Sequence, residues 1–200
     1  MNFATLRKTV CTDIDIDTAL KEIAANPHIG DVLAFDLLDG RRIECTVTDI
    51  DDKAIRFDSV DCLGDDMTYG KVEKWLDRIN HLLPDELRKA IIDTERKHTI
   101  NGKKISRLER LFLPAASELF SGDSVLSDED LYKQMDWYKD RRHRMKMYEH
   151  NGDSTAYWTS SQRSGSSSNF CLVNYDGHAS AGSASYTWLS APVCFRVRKS

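Results

Sequence analysis

Three apolar runs, "DVLAFDLL", "RRIECTVTDI" and "KAIRFDSV", follow one another within residues 31–60, parted only by "DGR" and "DDK". Short polar punctuation of this kind joins antiparallel strands, so the stretch is expected to form a β-meander. Ahead of it, "DIDIDTALKEIAANP" reads as a short helix with Asp17 or Thr18 as N-cap and Pro27 beyond its end. In "TYGKVEKWLDRINHLL" behind it, Val72, Trp75, Leu76, Ile79, Leu82 and Leu83 recur at helical spacing. "PDELRKAIIDTER" starts a second helix at Pro84, with Asp85 and Glu86 where the helix dipole favours acid. Asn101-Gly102 in "HTINGKKISRLERLFL" is a strong two-residue hairpin signal. "PAASELFSG" reads as a short helix closed by Gly122, and "SDEDLYKQMDWY" as a helix opened by Ser127 with Asp130 three residues on.

From Asn151 onward the texture changes. Between Ser154 and Pro192 only Arg163 and Asp176 carry a full charge, whereas the fifty residues before are densely charged. The window from Tyr157 to Trp188 holds nine serines and three glycines, the composition of a flexible linker, together with six aromatic residues, which linkers lack. Apolar islands "AYW", "FCLV" and "PVCFRV" survive between the polar residues, so short strands joined by loops are expected here, without helix. Strand alternation puts Phe170 and Leu172 on one face and Cys171 and Val173 on the other. Tyr, Trp, Ser, Gly, Asn and Arg together make up the residue set of antibody paratopes, in which rigid rings supply contact area and small polar residues adapt their hydrogen bonds. For Tyr157, Trp158, Phe170 and Trp188 taken singly, a place in the core of a small β-domain is an equally open reading.

Several function classes find no support. A balance of 28 basic against 32 acidic residues, net charge −4, gives no field for nucleic acid. The basic run "YKDRRHRMK" is interleaved with Asp136, Asp140 and Glu149 and reads as a solvated or ion-paired face. No window approaches a membrane span, and the N-terminus lacks the apolar run of a signal peptide, so synthesis and folding in the cytoplasm are expected. The five cysteines, Cys11, Cys45, Cys62, Cys171 and Cys194, are widely spaced with no CxxC pair. Asp13, Asp15 and Asp17 have the alternate spacing of a calcium loop, but isoleucines fill the gaps and Ala24 stands where the bidentate glutamate belongs. The six histidines show no metal-binding spacing, no serine sits in a GxSxG elbow, and no Gly-rich phosphate loop occurs. Neither metal, cofactor nor catalytic residue is therefore expected, and the expectation is a non-enzymatic protein.

The order "RLFLPAASELFSG", "QMDWYKDRRHRMKM", "STAYWTSSQRSGSSSNFCLVNYDGHASAGSASYTW" and "APVCFRV" resembles bacterial and phage proteins of the DUF6273 type, which have a C-type-lectin-like fold related to the formylglycine-generating enzymes. "IGDVLAFDLLDGRRIECTVTDI" resembles the family's opening hairpin and "YGKVEKWLDRINHLLPDELRKAI" its two helices, so the resemblance spans about residues 29–197. It implies a single α+β domain over 29–200 behind an N-terminal helical extension, 1–28. Residues 29–150 would form the scaffold and 151–200 a loop-rich, ligand-presenting part.

Relatives of this type include the variable proteins of diversity-generating retroelements, in which adenine-directed mutagenesis alters exposed residues that bind ligands. By that resemblance the ligand-binding positions are Thr159, Gln162, Arg163, Ser166, Asn174, Tyr175, His178, Ser180, Ser183, Tyr186, Thr187 and Trp188. The implied partner is a protein or cell-surface ligand, met by a phage- or prophage-encoded display protein, with virion association and self-association left open. A structural virion component is one alternative. A degenerate enzyme of the formylglycine-generating type, using Cys171, Cys194 and His178, is another. The fold would also bring the strands of Cys171 and Cys194 together, with a disulfide between them left open. Departures exist: "YWTSSQ" replaces the usual "WLRSP", the copper-binding cysteine pair of the enzymes is not recognisable, and no calcium-type sugar triplet occurs.

Overall fold

The computed structural model describes residues 15–64, 66–127, 131–148 and 152–199. In chain order its elements are α1 (Ile16–Ala25), β1 (Val32–Asp36), β2 (Arg42–Ile50), β3 (Ala54–Ser59), α2 (Val72–Leu82), α3 (Asp85–Ala90), β4 (Thr94–Ile100), β5 (Lys103–Glu109), β6 (Leu111–Phe112), α4 (Ala116–Leu119), β7 (Lys146–Met147), β8 (Ser154–Thr155), β9 (Tyr157–Gln162), β10 (Asn169–Val173), β11 (Ala179–Ser183) and β12 (Cys194–Arg198). The chain is α+β. The cap of α1 is Asp15, whose carboxylate accepts from Thr18 N–H, while Asp17 pairs with Lys21 one turn on. Asp13, Cys11 and His150 lie outside the described residues.

The meander forms as expected: β1, β2 and β3 pair antiparallel, and β12 returns to lie against β3, with β6 beyond it. The order β1-β2-β3-β12-β6 therefore makes one five-stranded sheet from the first and last described strands. Ile55 and Phe57 of β3 point into the main core, where Phe57 stacks on Phe195 at 5.3 Å. The apolar stripe of α2, through Val72, Trp75 and Ile79, packs into that core, and so does α1 through Ala19, Leu20, Ile23 and Ala24. The N-terminal helix thus belongs to the core.

Asn101 and Gly102 carry φ of 51° and 74°, the left-handed pair of a tight hairpin turn, and join β4 to β5 in register. One expected helix, over residues 127–138, does not form among the described residues. Among the described residues of 127–138 there is only a single 3-10 turn, Asp136–Lys139. Lateral hydrogen bonds displace the local preference: Gln134 donates to Leu119 O (3.0 Å), Met135 N–H donates to Glu118 O (2.9 Å), and the Tyr132 hydroxyl binds Lys97 on β4.

The other face of β3 is charged and buried. Arg56 clamps Asp58 through Nε (2.7 Å) and Nη2 (3.1 Å) and reaches Glu118 with Nη1 (2.6 Å). Arg96 of β4 grips the same Glu118 with both terminal nitrogens, at 2.6 and 2.8 Å. Tyr138 donates to Asp58 (2.5 Å), Ala115 N–H donates to Glu118 (2.7 Å), and the Phe112 ring lies within 5.2 and 4.4 Å of the two guanidiniums. Two cations and two anions cancel inside a space from which all four are at least 96 % withdrawn. Beyond it lies a second core of Cys62, Leu119, Phe120, Tyr138, Tyr157 and Val173.

Burial would push the Glu118 carboxyl up, but Arg56 and Arg96 outweigh it and hold the group at about 2 against an ordinary 4.5. A depressed folded-state value means a stabilisation that is complete above about 4.5 and lost as pH falls through about 2. Glu118→Gln leaves two buried guanidiniums short of an anion, which costs about 3 kcal/mol or more. Chemical unfolding at pH 7 measures that loss, and the variant's stability changes less than the wild type's between pH 4.5 and 2.

Candidate functional site

The three-stranded sheet, in the order β11-β10-β9, carries the region singled out by composition. Tyr157 and Trp158 of β9 are fully buried, Trp158 donating its indole N–H to Met67 O (2.8 Å). On β10, Phe170 and Leu172 face the main core while Val173 faces the second, and Cys171 places its sulfur near the carbonyls of Val125 and Leu126. This is the alternation expected for the strand. Phe170 also stacks on Tyr69.

Register separates the expected ligand positions into two groups. Phe170 pairs with Gln162 and Asn169 with Ser183 at one end, whereas Val173 pairs with Tyr157 and Ala179 at the other. Four steps along β10 set these ends roughly 13 Å apart. The first end gathers Gln162, Arg163, Ser166 and Ser183, on two loops tied by Ala184 N–H to Ser168 O (2.8 Å). After Ser183 the chain passes Tyr186, whose ring lies beside Gly182, and runs back to Ser190, which bridges Tyr157. Tyr186, Thr187 and Trp188 are exposed, and the rings of Tyr186 and Trp188 sit 5.7 Å apart. Gly182 makes room for them: a Cβ there would lie 2.7 Å from the Tyr186 ring.

The far end holds Asn174, Tyr175 and His178 in a tight turn, where the Asn174 side chain accepts from His178 N–H (2.8 Å). The His178 ring lies 3.0 Å from Asp176 and, by its hydrogen bond, holds that carboxyl below the ordinary range. Tyr175 is 65 % exposed. Ser180 lies between the ends, half-buried on β11 opposite Leu172. Thr159 is fully buried and donates to Cys171 O (2.9 Å), so it faces no ligand.

Beside the first end is an open cleft of about 390 Å³, lined by residues of the β4–β5 turn and of the loop after β9. Gln162 joins its walls: Oε1 accepts from Asn101 N–H at 2.7 Å. Composition gave no sign of this contact between residues sixty-one apart, although both members were singled out for other reasons.

The residues of the enzymatic alternative stand apart. The described cysteines are free thiols, so Cys171 and Cys194 are not bridged. Cys194 is sealed in β12, and burial pushes its thiol well up, as it does that of Cys45; Cys62 is raised to about 12. His178 is exposed and already paired. Among the described residues no group of three or more His, Cys, Asp or Glu is placed to hold a metal, and no helix is long and apolar enough to cross a membrane. The basic run is partly structural: Arg144 donates to Gly177 O (3.0 Å) and Lys146, buried, to the carbonyls of Ser59 and Val60, while Arg142 pairs with Asp140.

Residues 67–198 match the family described as Domain of unknown function (DUF6273). No curated protein and no solved structure matches the chain. The matched span starts after β3, yet its β12 pairs with β3.

Two outcomes follow. Gln162→Ala removes the partner of the Asn101 amide, costing about 0.5–1.5 kcal/mol, with faster hydrogen exchange at Asn101 as the local signature. Cys45, Cys62 and Cys194 resist alkylation by iodoacetamide at pH 8 in the native protein and react once it is unfolded, as peptide mapping reads directly.

Proposed function

The chain belongs to the DUF6273 family, and from that premise we propose that it is a binding module of C-type-lectin-like type. Its ligand, a protein or a cell-surface molecule, meets the loops at the Gln162–Ser183 end of the three-stranded sheet. The observation that carries this reading is the pair Tyr186 and Trp188, 42 % and 57 % exposed, whose rings stand side by side on a surface poor in charge. Aromatic rings held outside a core by a rigid strand are the anchors of interfaces, because they offer area at little entropic cost. The closing of first and last strands into one sheet, with long loops leaving a second small sheet, supports the lectin-like assignment.

The loops also suit diversification of the retroelement type within a phage- or prophage-encoded display protein. Arg163, Ser166, Tyr186, Thr187 and Trp188 lie outside both cores and can change without disturbing packing. Thr159 is excluded from that set by its burial. A near-copy of the codons for residues 157–197, differing mainly at adenines and lying beside a reverse transcriptase gene, is the genomic signature; its absence leaves a fixed binding surface.

The binding reading is tested with labelled protein on glycan and peptide arrays and on intact bacterial cells. Tyr186→Ala/Trp188→Ala should lower the observed affinity at least thirtyfold, the effect of losing about 2 kcal/mol from a hot spot, with the melting temperature unchanged. Tyr175→Ala, in the turn of Asn174 and His178, should have little effect. Equal binding by the double variant sinks the reading, and loss of folding would assign those rings to the core.

A further inference from the structure

The cleft between the β4–β5 turn and the loop after β9 has a chemistry of its own. Its lining comes from Thr99, Asn101 and Gly102 on one side and from Gln162, Arg163 and the 165–167 loop on the other. Gln162 is 92 % withdrawn from solvent and fixes the two walls through Asn101. Its carbonyl oxygen accepts from Asn101 N–H and its Nε2 donates to Asn101 Oδ1 at 3.4 Å, while the Ser166 hydroxyl oxygen accepts from the N–H groups of Ser168 and Asn169. What remains toward the cleft is chiefly donor: the second Gln162 N–H, the Asn101 side-chain N–H groups, the serine O–H groups and the Arg163 guanidinium. Among the described residues no carboxylate lines the cleft. The backbone N–H groups of Gly165 and Ser167 donate to no described residue, whereas those of Arg163, Ser164 and Ser166 are used by Asn169, Leu126 and Arg163 carbonyls.

Arg163 is exposed and pairs with no carboxylate among the described residues, unlike Arg41, Arg42, Arg88, Arg142 and Arg196. Donors without acceptors select an acceptor-rich ligand. One guanidinium fork matches one carboxylate in charge and in planar geometry; a phosphate dianion would call for a second cation. A volume of about 390 Å³ accommodates a body of one or two sugar rings or a dipeptide.

We infer that this cleft binds a small carboxylate-bearing, hydroxyl-rich ligand of the uronic-acid type, the carboxylate held by Arg163 and the hydroxyls by the Asn101, Gln162 and Ser166 side of the cleft. The inference rests on the binding reading above and narrows its ligand.

The test is a titration of the full chain, followed by amide chemical shifts at constant ionic strength, with glucuronate, glucose and N-acetyl-dialanine as probes. The expected result is that glucuronate shifts residues 99–102 and 162–167, binds at least tenfold tighter than glucose, and weakens as NaCl is raised. Arg163→Met removes that preference and leaves the weak response to glucose unchanged, while its melting temperature matches the wild type. Equal affinity for glucose and glucuronate overturns the inference, as does a preference that survives Arg163→Met. A response to N-acetyl-dialanine alone overturns the sugar and assigns the carboxylate to a peptide end. Silence toward all three probes at tens of millimolar overturns it too. That silence leaves the binding reading standing if the Tyr186→Ala/Trp188→Ala variant still loses array or cell binding, so the two failures are distinguishable.

Discussion

Four charges are clustered on the buried face of β3, each set against a partner of opposite sign. Arg56 and Asp58 come from the middle of the large sheet, Arg96 from the hairpin β4–β5, and Glu118 from the one-turn helix α4. Taking such groups out of water is expensive unless each finds its partner in good geometry. Satisfying them therefore dictates where the hairpin and α4 sit against β3. Phe112 fills the space between the two guanidiniums, and Tyr138 supplies the remaining donor to Asp58. An apolar cluster of the same volume could be as stable; what the quartet adds is a set of directed contacts through which β3, β4 and α4 meet.

The consequence reaches the loops. α4 is fixed by Glu118, and Ala116 N–H then donates to the Ser161 hydroxyl oxygen (2.9 Å) while Pro114 O accepts from Ser160 N–H (2.9 Å). Those contacts set β9 against α4 where β9 and β10 lose regular register, Gln162 opposing Phe170 and Trp158 opposing Leu172. The same hairpin that brings Arg96 inward presents Asn101 to Gln162 at its tip. A chain of buried polar contacts thus connects the interior to the cleft, and the surface loops start from fixed points.

Much of the scaffold was legible because local and global demands agree. The β-meander, α2, the Asn101-Gly102 turn and the alternation of Phe170, Cys171, Leu172 and Val173 all follow from period and turn chemistry. What escaped did so for identifiable reasons. β11, "ASAGS", has no β-branched or aromatic residue and is a strand only because β10 lies beside it. "AIRFDS" alternates charge with apolar side chains, and nothing local in it tells what covers the charged face; Arg96 and Glu118, approaching from far along the chain, make that face interior. The segment around Tyr132–Tyr138 has helical pattern but spends its donors sideways. In the serine-rich part, composition could not sort exposed from buried positions, since strand register is absent from composition: Thr159 is inside and donates to Cys171 O, while Tyr175, Tyr186 and Trp188 are exposed.

The central claim is that a rigid, internally specified scaffold carries an end whose loops are free to vary. Its most direct measurement is saturation mutagenesis of residues 157–198 with soluble, cooperatively folded protein as the readout. The account predicts broad tolerance at Arg163, Ser166, Thr187 and Trp188, against narrow tolerance at Thr159, Ser161, Cys171 and Cys194. Intolerance spread evenly over strands and loops would contradict it, because the loops would then be part of the fold's own specification.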